Sequence, residues 1–173
     1  LRASVTNIKN FNSGRRAVGA STITQQVAKN FLLSADYSIE RKIKEAILAL
    51  RIERTFSKDH IFELYLNEIY LGFNSYGVAA AALNYFNKPL SQITLAEAAY
   101  LAALPKGPNN YHPTRKRKQA IIRRNWVLSQ MFENGFITEN EFKKTKNEEL
   151  SVYASSGFDG AYACLLYTSD AAD

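Results

Sequence analysis

A chain of 173 residues, 46% hydrophobic and 22% charged, is long enough for one domain with a sizeable core. No apolar run approaches the roughly 20 residues of a membrane-spanning helix; Val78 to Leu83 is the richest stretch, and it stops at Asn84. The net charge of +6 suits nucleic acid, anionic lipid or a phosphate-bearing substrate without choosing among them, and the single cysteine, Cys164, excludes an intrachain disulfide.

In chain order the pattern predicts helix after helix. A short helix over about Leu1 to Asn10 leads into the polar loop Asn12 to Arg16. Thr22, with Gln25 three residues on, forms a capping-box pattern that opens a helix to about Leu32. Ile23, Val27 and Phe31 recur at helical spacing and are expected in a core. Thr22, Gln25, Gln26 and Lys29 fall on the opposite side, a face of amides, hydroxyls and one cation able to bind phosphate and sugar oxygens. The plainer reading of that face is ordinary solvation.

Ser38 is placed to cap a helix from Ile39 to Thr55, and Ser57 another from Lys58 to Leu71, ended by Gly72. The alanine-rich stretch from Gly77 to Phe86 is suited to close packing. Thr94 and Glu97 make a second capping box for a helix that stops before Pro105. After a loop from Pro105 to Pro113, a long helix from about Lys116 to Asn134 ends at Gly135, and Thr138 with Glu141 caps a last short one. No sustained alternation calls for a sheet, so the expected class is all-α.

On the helix from Ile39 to Thr55, take Ile43 as the origin of the wheel. Ala46, Ile47 and Leu50 then lie within about 60° and are expected to form the core stripe, with Lys44 and Arg51 at its solvent edge. Glu45 falls at roughly 200°, near Arg41 and beside Leu48, Ala49 and Ile52. A carboxylate sharing its face with apolar residues and a cation is either a surface ion pair contributing well under about 1 kcal/mol or a group held for chemistry. Ile61, Phe62, Tyr65, Leu66, Ile69 and Tyr70 read as packing. Arg115 to Lys118, with Arg123 and Arg124, reads as the solvated basic edge of an amphipathic helix carrying Ile121, Ile122, Trp126, Leu128, Met131 and Phe132. Nucleic acid or anionic headgroups are the other partners such an edge suits.

The stretch Gly19-Ala20-Ser21-Thr22-Ile23-Thr24-Gln25-Gln26-Val27-Ala28-Lys29-Asn30 closely resembles a signature of the peptidoglycan glycosyltransferases, the transglycosylase domains of class A penicillin-binding proteins. Arg41 to Glu45, Tyr65 to Gly72, Ala81 to Phe86 and Leu95 to Leu101 follow in the family's order, and the likeness runs from Leu1 to about Leu150. It implies a lysozyme-like helical domain that polymerises lipid II into glycan strands and releases undecaprenyl pyrophosphate. By resemblance, Glu45 is a catalytic glutamate assisting the leaving group, through a water or a divalent ion (Mg or Mn). Lys29, Arg41 and Lys42 are the basic positions for pyrophosphate, and Ser21, Thr22 and Gln25 position sugar or phosphate oxygens. Asn67 would support the groove behind them.

The resemblance further implies a bacterial cytoplasmic membrane enzyme acting on the outer face, in contact with membrane lipids, with an upstream anchor and, from the continuation past Gly135 through Glu139 and Glu141, a downstream transpeptidase domain. Nucleic acid is not expected as a partner. The family's other glutamate, its general base, lies in a motif just upstream of Arg2-Ala3, and no carboxylate precedes Asp36. The stretch by itself is therefore expected to bind weakly and not to polymerise. Residues 1–150 would be a partial glycosyltransferase domain, 151–163 the start of a linker, and 164–173, which break the pattern, a translated sequencing adapter. The rival readings are a lysozyme-like glycosidase, which needs two carboxylates about the scissile bond, a nucleic-acid-binding helical module, and a scaffold that binds the lipid substrate without turning it over.

Overall fold

The computed structural model describes residues 21–31 and 39–153. The helix expected over Leu1 to Asn10, the loop after it, the Ser38 cap and the segment 164–173 lie outside the described residues. The chain divides into two compact units, Leu1–Tyr65 and Leu66–Asp173.

In the first unit, helix α1 spans Ile23–Phe31 and helix α2 spans Ile39–Thr55. The capping box that opens α1 is reciprocal: the Gln25 N–H donates to Thr22 Oγ1 and the Thr22 N–H to Gln25 Oε1, both at 3.1 Å. Helix α3, Lys58–Glu68, begins under Ser57, whose Oγ accepts the His60 N–H at 3.2 Å. Val27 and Ala28 of α1, Ala49 and Ile52 of α2 and Ile61 of α3 form the core, flanked by Leu48, Leu64 and Tyr65. Alanines at 28 and 49 let the helices approach closely.

That core uses different faces from those the periodicity suggested. Thr24, Val27 and Ala28 are the buried positions of α1, while Ile23 and Phe31 are 42% and 56% exposed. On α2, Glu45, Ala49 and Ile52 point inward, and Ile43, Ile47 and Leu50 lie 55%, 48% and 57% exposed. Apolar residues occur nearly all round α2, so the stripe that the wheel singled out about Ile43 had a competitor in Ala49 and Ile52, and that second face is the buried one. Phe62 and Tyr70, read as packing, are also substantially exposed.

In the second unit α3 ends at Glu68, short of the expected Leu71. The chain turns into a ribbon of β1, Tyr70–Gly72, antiparallel to β2, Ser75–Tyr76. Phe73 and Asn74 between them have φ of 48° and 54°, the left-handed pair that a two-residue hairpin turn demands. The Gly77 N–H donates to the Ile69 carbonyl at 2.9 Å. Gly77 (φ 80°) is required there, because a Cβ would strike the Asn67 carbonyl.

Helix α4, Val78–Phe86, buries Ala81 and Ala82 completely. Tyr85 Oη donates to the Leu71 carbonyl at 2.7 Å, tying α4 to the ribbon; burial, with Tyr70 adding a smaller effect, pushes its pKa well up. Helix α5, Leu95–Ala103, opens with the expected Thr94/Glu97 capping box, and Glu97 also receives Lys88 at 2.7 Å. Helix α6, Arg117–Glu133, packs on α5. Helix α7, Glu139–Asn147, packs on α6 and starts with the Thr138/Glu141 capping box. Leu71, Ala81, Ala82, Tyr85, Phe86, Tyr100, Leu101, Leu104, Ala120 and Leu150 make this unit's core. The expected all-α class is observed, with one small ribbon added.

Arg124 corrects the reading of α6 as carrying a uniformly solvated basic edge. It is 1% exposed. Its guanidinium donates to the Glu148 carbonyl at 2.8 Å, the Lys146 carbonyl at 3.1 Å and Asn125 Oδ1 at 2.9 Å. The charge thus sits on the carbonyl-rich end of α7, where the helix dipole favours a cation. Ile122 and Trp126, expected to pack, are instead 60% and 48% exposed, and Phe132 is also exposed.

Candidate functional site

Glu45 is the organising residue of the first unit. Its side chain is 1% exposed, unusual for a carboxylate without partners, and its partners are supplied by the preceding turn of α2. Lys42 Nζ lies 2.6 Å from Oε2 and Arg41 Nε 3.3 Å from Oε1. The Arg41 contact is one of charge proximity, since Oε1 receives no well-aligned hydrogen bond. Both cations come from positions i−4 and i−3, which a helix brings onto one face.

Lys42 also donates to Ser21 Oγ at 3.3 Å, linking the residue just before α1 to α2. Ser21, Lys42, Glu45 and Arg41 therefore form one connected cluster. The Ser21 link across 21 positions had no periodic signal in the sequence. Thr22 and Gln25 stand beside it, but their side-chain oxygens are engaged in capping α1. Lys29 is exposed one turn beyond Gln25. Asn67, in the last turn of α3, belongs to the second unit and is exposed.

A groove of about 560 Å³ opens at the head of α1, with Thr22, Thr24, Glu53, Phe56 and Phe62 among its walls. Glu45 does not line it. A divalent cation does not fit the Glu45 cluster as arranged: such ions take several oxygen ligands, whereas both carboxylate oxygens face cationic nitrogens. Among the described residues no three of His, Cys, Asp and Glu gather as a metal site.

What the cluster can do follows from its charges. One buried anion holds two cations in fixed positions, and Lys42 is 58% exposed, so that its ammonium can also meet an incoming anion. The sequence matches the transglycosylase family over residues 1–132, and the chain belongs to that family.

It is 51% identical over 150 residues to penicillin-binding protein 1A of Rickettsia felis, covering 87% of this chain and 19% of that protein. It is 52% identical to penicillin-binding protein 1A of Aquifex aeolicus over 145 residues, covering 84% and 20%. The Escherichia coli protein of the same name is 51% identical over 139 residues, covering 80% and 16%. The crystal structure of penicillin-binding protein 1A from Haemophilus influenzae superposes with a TM-score of 0.51 at 31% identity, over 87% of this chain and 20% of that one. The chain thus spans about a fifth of the length of these relatives.

Proposed function

We propose that this chain supplies the donor-binding part of a peptidoglycan glycosyltransferase that polymerises lipid II in bacterial cell-wall synthesis. The observation that carries the reading is the buried Glu45 gripped by Arg41 and Lys42, in a chain of the transglycosylase family. In the reaction an acceptor hydroxyl loses its proton to a base and attacks the anomeric carbon of the donor. The bond from that carbon to the pyrophosphate oxygen breaks, and undecaprenyl pyrophosphate leaves with the electron pair.

Arg41 and Lys42 stabilise the charge that develops on the departing oxygen, with Lys29 as a further cation. Arginine suits this role through its planar fork of donors. Glu45 assists departure through them: a carboxylate pressed against a leaving anion would repel it, but one that fixes two cations presents them ready oriented. Ser21, Thr22 and Gln25 position sugar and phosphate oxygens, and Asn67 supports the groove. The full enzyme would work at the outer face of the cytoplasmic membrane, among its lipids, with the growing glycan strand as second substrate and a transpeptidase domain downstream. A glycosidase reading is weaker because the described groups that flank Glu45 are cations, where that chemistry asks for a second carboxylate.

The test is Glu45→Gln in the full-length protein, assayed for glycan strands from lipid II. Polymerisation is expected to fall at least about 100-fold, the scale of losing transition-state charge stabilisation, with helical circular dichroism unchanged. A near wild-type rate would remove Glu45 from the mechanism.

A further inference from the structure

The second unit carries a cleft of about 290 Å³ that takes no part in the site above. Gln119, Ile122, Arg123 and Trp126 line it from α6, at the i, i+3, i+4 and i+7 spacing of one helix face. Lys106 and Tyr111 stand across from them. The walls are held: the Gly107 N–H donates to the Leu104 carbonyl at 2.8 Å, closing the turn that carries Lys106. Tyr100 Oη donates to the Tyr111 carbonyl at 2.8 Å.

Within the cleft the Arg123 guanidinium lies 3.9 Å over the indole of Trp126. Its Nε is buried without a hydrogen-bond partner. A buried donor left unpaired is costly, so the Arg123 side chain is held here by its stacking on Trp126 and not by hydrogen bonds at Nε. Trp126 and Ile122 meanwhile remain 48% and 60% exposed, side by side on the open face of the cleft.

The lining sets the ligand's chemistry. Trp126, Ile122 and Tyr111 offer an apolar platform of the kind the carbon face of a pyranose occupies. The charged groups are both cations, the Lys106 ammonium and the Arg123 guanidinium; the Gln119 amide and the Tyr111 hydroxyl can donate or accept, and no carboxylate stands in the lining. A neutral sugar leaves the two cations without an anionic partner. A carboxylate needs only donors, and a guanidinium stacked on an aromatic face presents its edge to one.

We propose that this cleft binds a pyranose bearing a carboxylate, with the ring against Trp126 and Ile122 and the carboxylate on Arg123 and Lys106. The choice of a sugar rests on the function proposed above; the requirement for an anion rests on the cleft alone.

Trp126 is the single tryptophan of the chain, so its fluorescence reports on this cleft. Titration of the full chain with N-acetylmuramic acid is expected to change that emission saturably. N-acetylglucosamine, a similar ring without the carboxylate, should bind at least about tenfold more weakly. Arg123→Gln should weaken N-acetylmuramic acid binding by about tenfold or more. So should Lys106→Gln, which leaves the stacked pair in place and guards against a folding effect. Equal responses to the two sugars would overturn the anionic ligand, and silence to both would overturn the site. A tighter response to an oligothymidylate than to N-acetylmuramic acid would overturn it in favour of a nucleic-acid surface. Polymerisation by the full-length protein is read at Glu45 in the other unit. A silent titration with an active polymerase therefore defeats only the cleft, and binding with no polymerase activity defeats only the proposed function.

Discussion

At the scale of single residues, charge placement separates groups that composition treats alike. Glu45 and Glu40 lie on one helix, yet Glu40 meets Lys44 at 2.6 Å in solvent while Glu45 is sealed between two cations. Arg123 and Arg124 are neighbours, yet one stacks on an exposed indole and the other is enclosed by carbonyls. His112 is a titrating residue with a structural task. Its Nδ1 accepts the backbone N–H of Arg115 at 3.2 Å and of Thr114 at 3.3 Å, so the ring is neutral with its proton on Nε2.

Burial, then the nearby Arg115 charge, lowers the His112 pKa below 6.5. The unfolded chain therefore takes up this proton first on acidification. The stability owed to neutral His112 is present above about pH 6.5 and is lost as pH falls below it. The urea midpoint should drop more between pH 7.5 and pH 5.5 for the wild type than for His112→Gln. Equal drops in the two proteins would show that the ring carries no such load.

At the scale of elements, the helix ends were legible because their chemistry is local. The Thr22/Gln25, Thr94/Glu97 and Thr138/Glu141 pairs each satisfy orphan N–H groups within one turn, and all three boxes are formed. The bounds of α2, Ile39–Thr55, also matched. Its inward face did not, because that choice depends on a partner helix far along the chain. Ile52→Ala should therefore cost about 2–4 kcal/mol, as for a buried aliphatic truncation, and Ile47→Ala under about 1 kcal/mol. Urea unfolding of the two variants decides the matter: similar losses would mean that α2 packs by the stripe of Ile43, Ile47 and Leu50. The ribbon after α3 escaped notice for a related reason. Its strands are too short to show alternation, and its turn is Phe73-Asn74, without the glycine that usually marks a left-handed pair.

For the whole molecule, the two units carry cores of different extent. The second draws on α4, α5, α6, the ribbon and the strap through Leu150, and the strap is pinned by the Tyr153 N–H on the Tyr85 carbonyl at 2.7 Å. The first rests on a smaller set from three helices. Hydrogen exchange should accordingly be slowest in α4 and α5 and measurably faster in α1, since protection follows buried contacts. Equal protection would contradict that difference.

The sequence by itself determined the family, through motifs recurring in order along the chain, and the helical class, most helix bounds and the nearness of Arg41 to Glu45, because these rest on residues within a turn or two of one another. Tertiary structure alone decided that the Glu45 face of α2 turns inward, that Lys42 reaches Ser21, that Arg124 is buried while Trp126 is not, and that Lys106 and Tyr111 meet α6 across a cleft. These outcomes depend on which distant surfaces fit closely enough to exclude water, and no local spacing encodes that fit.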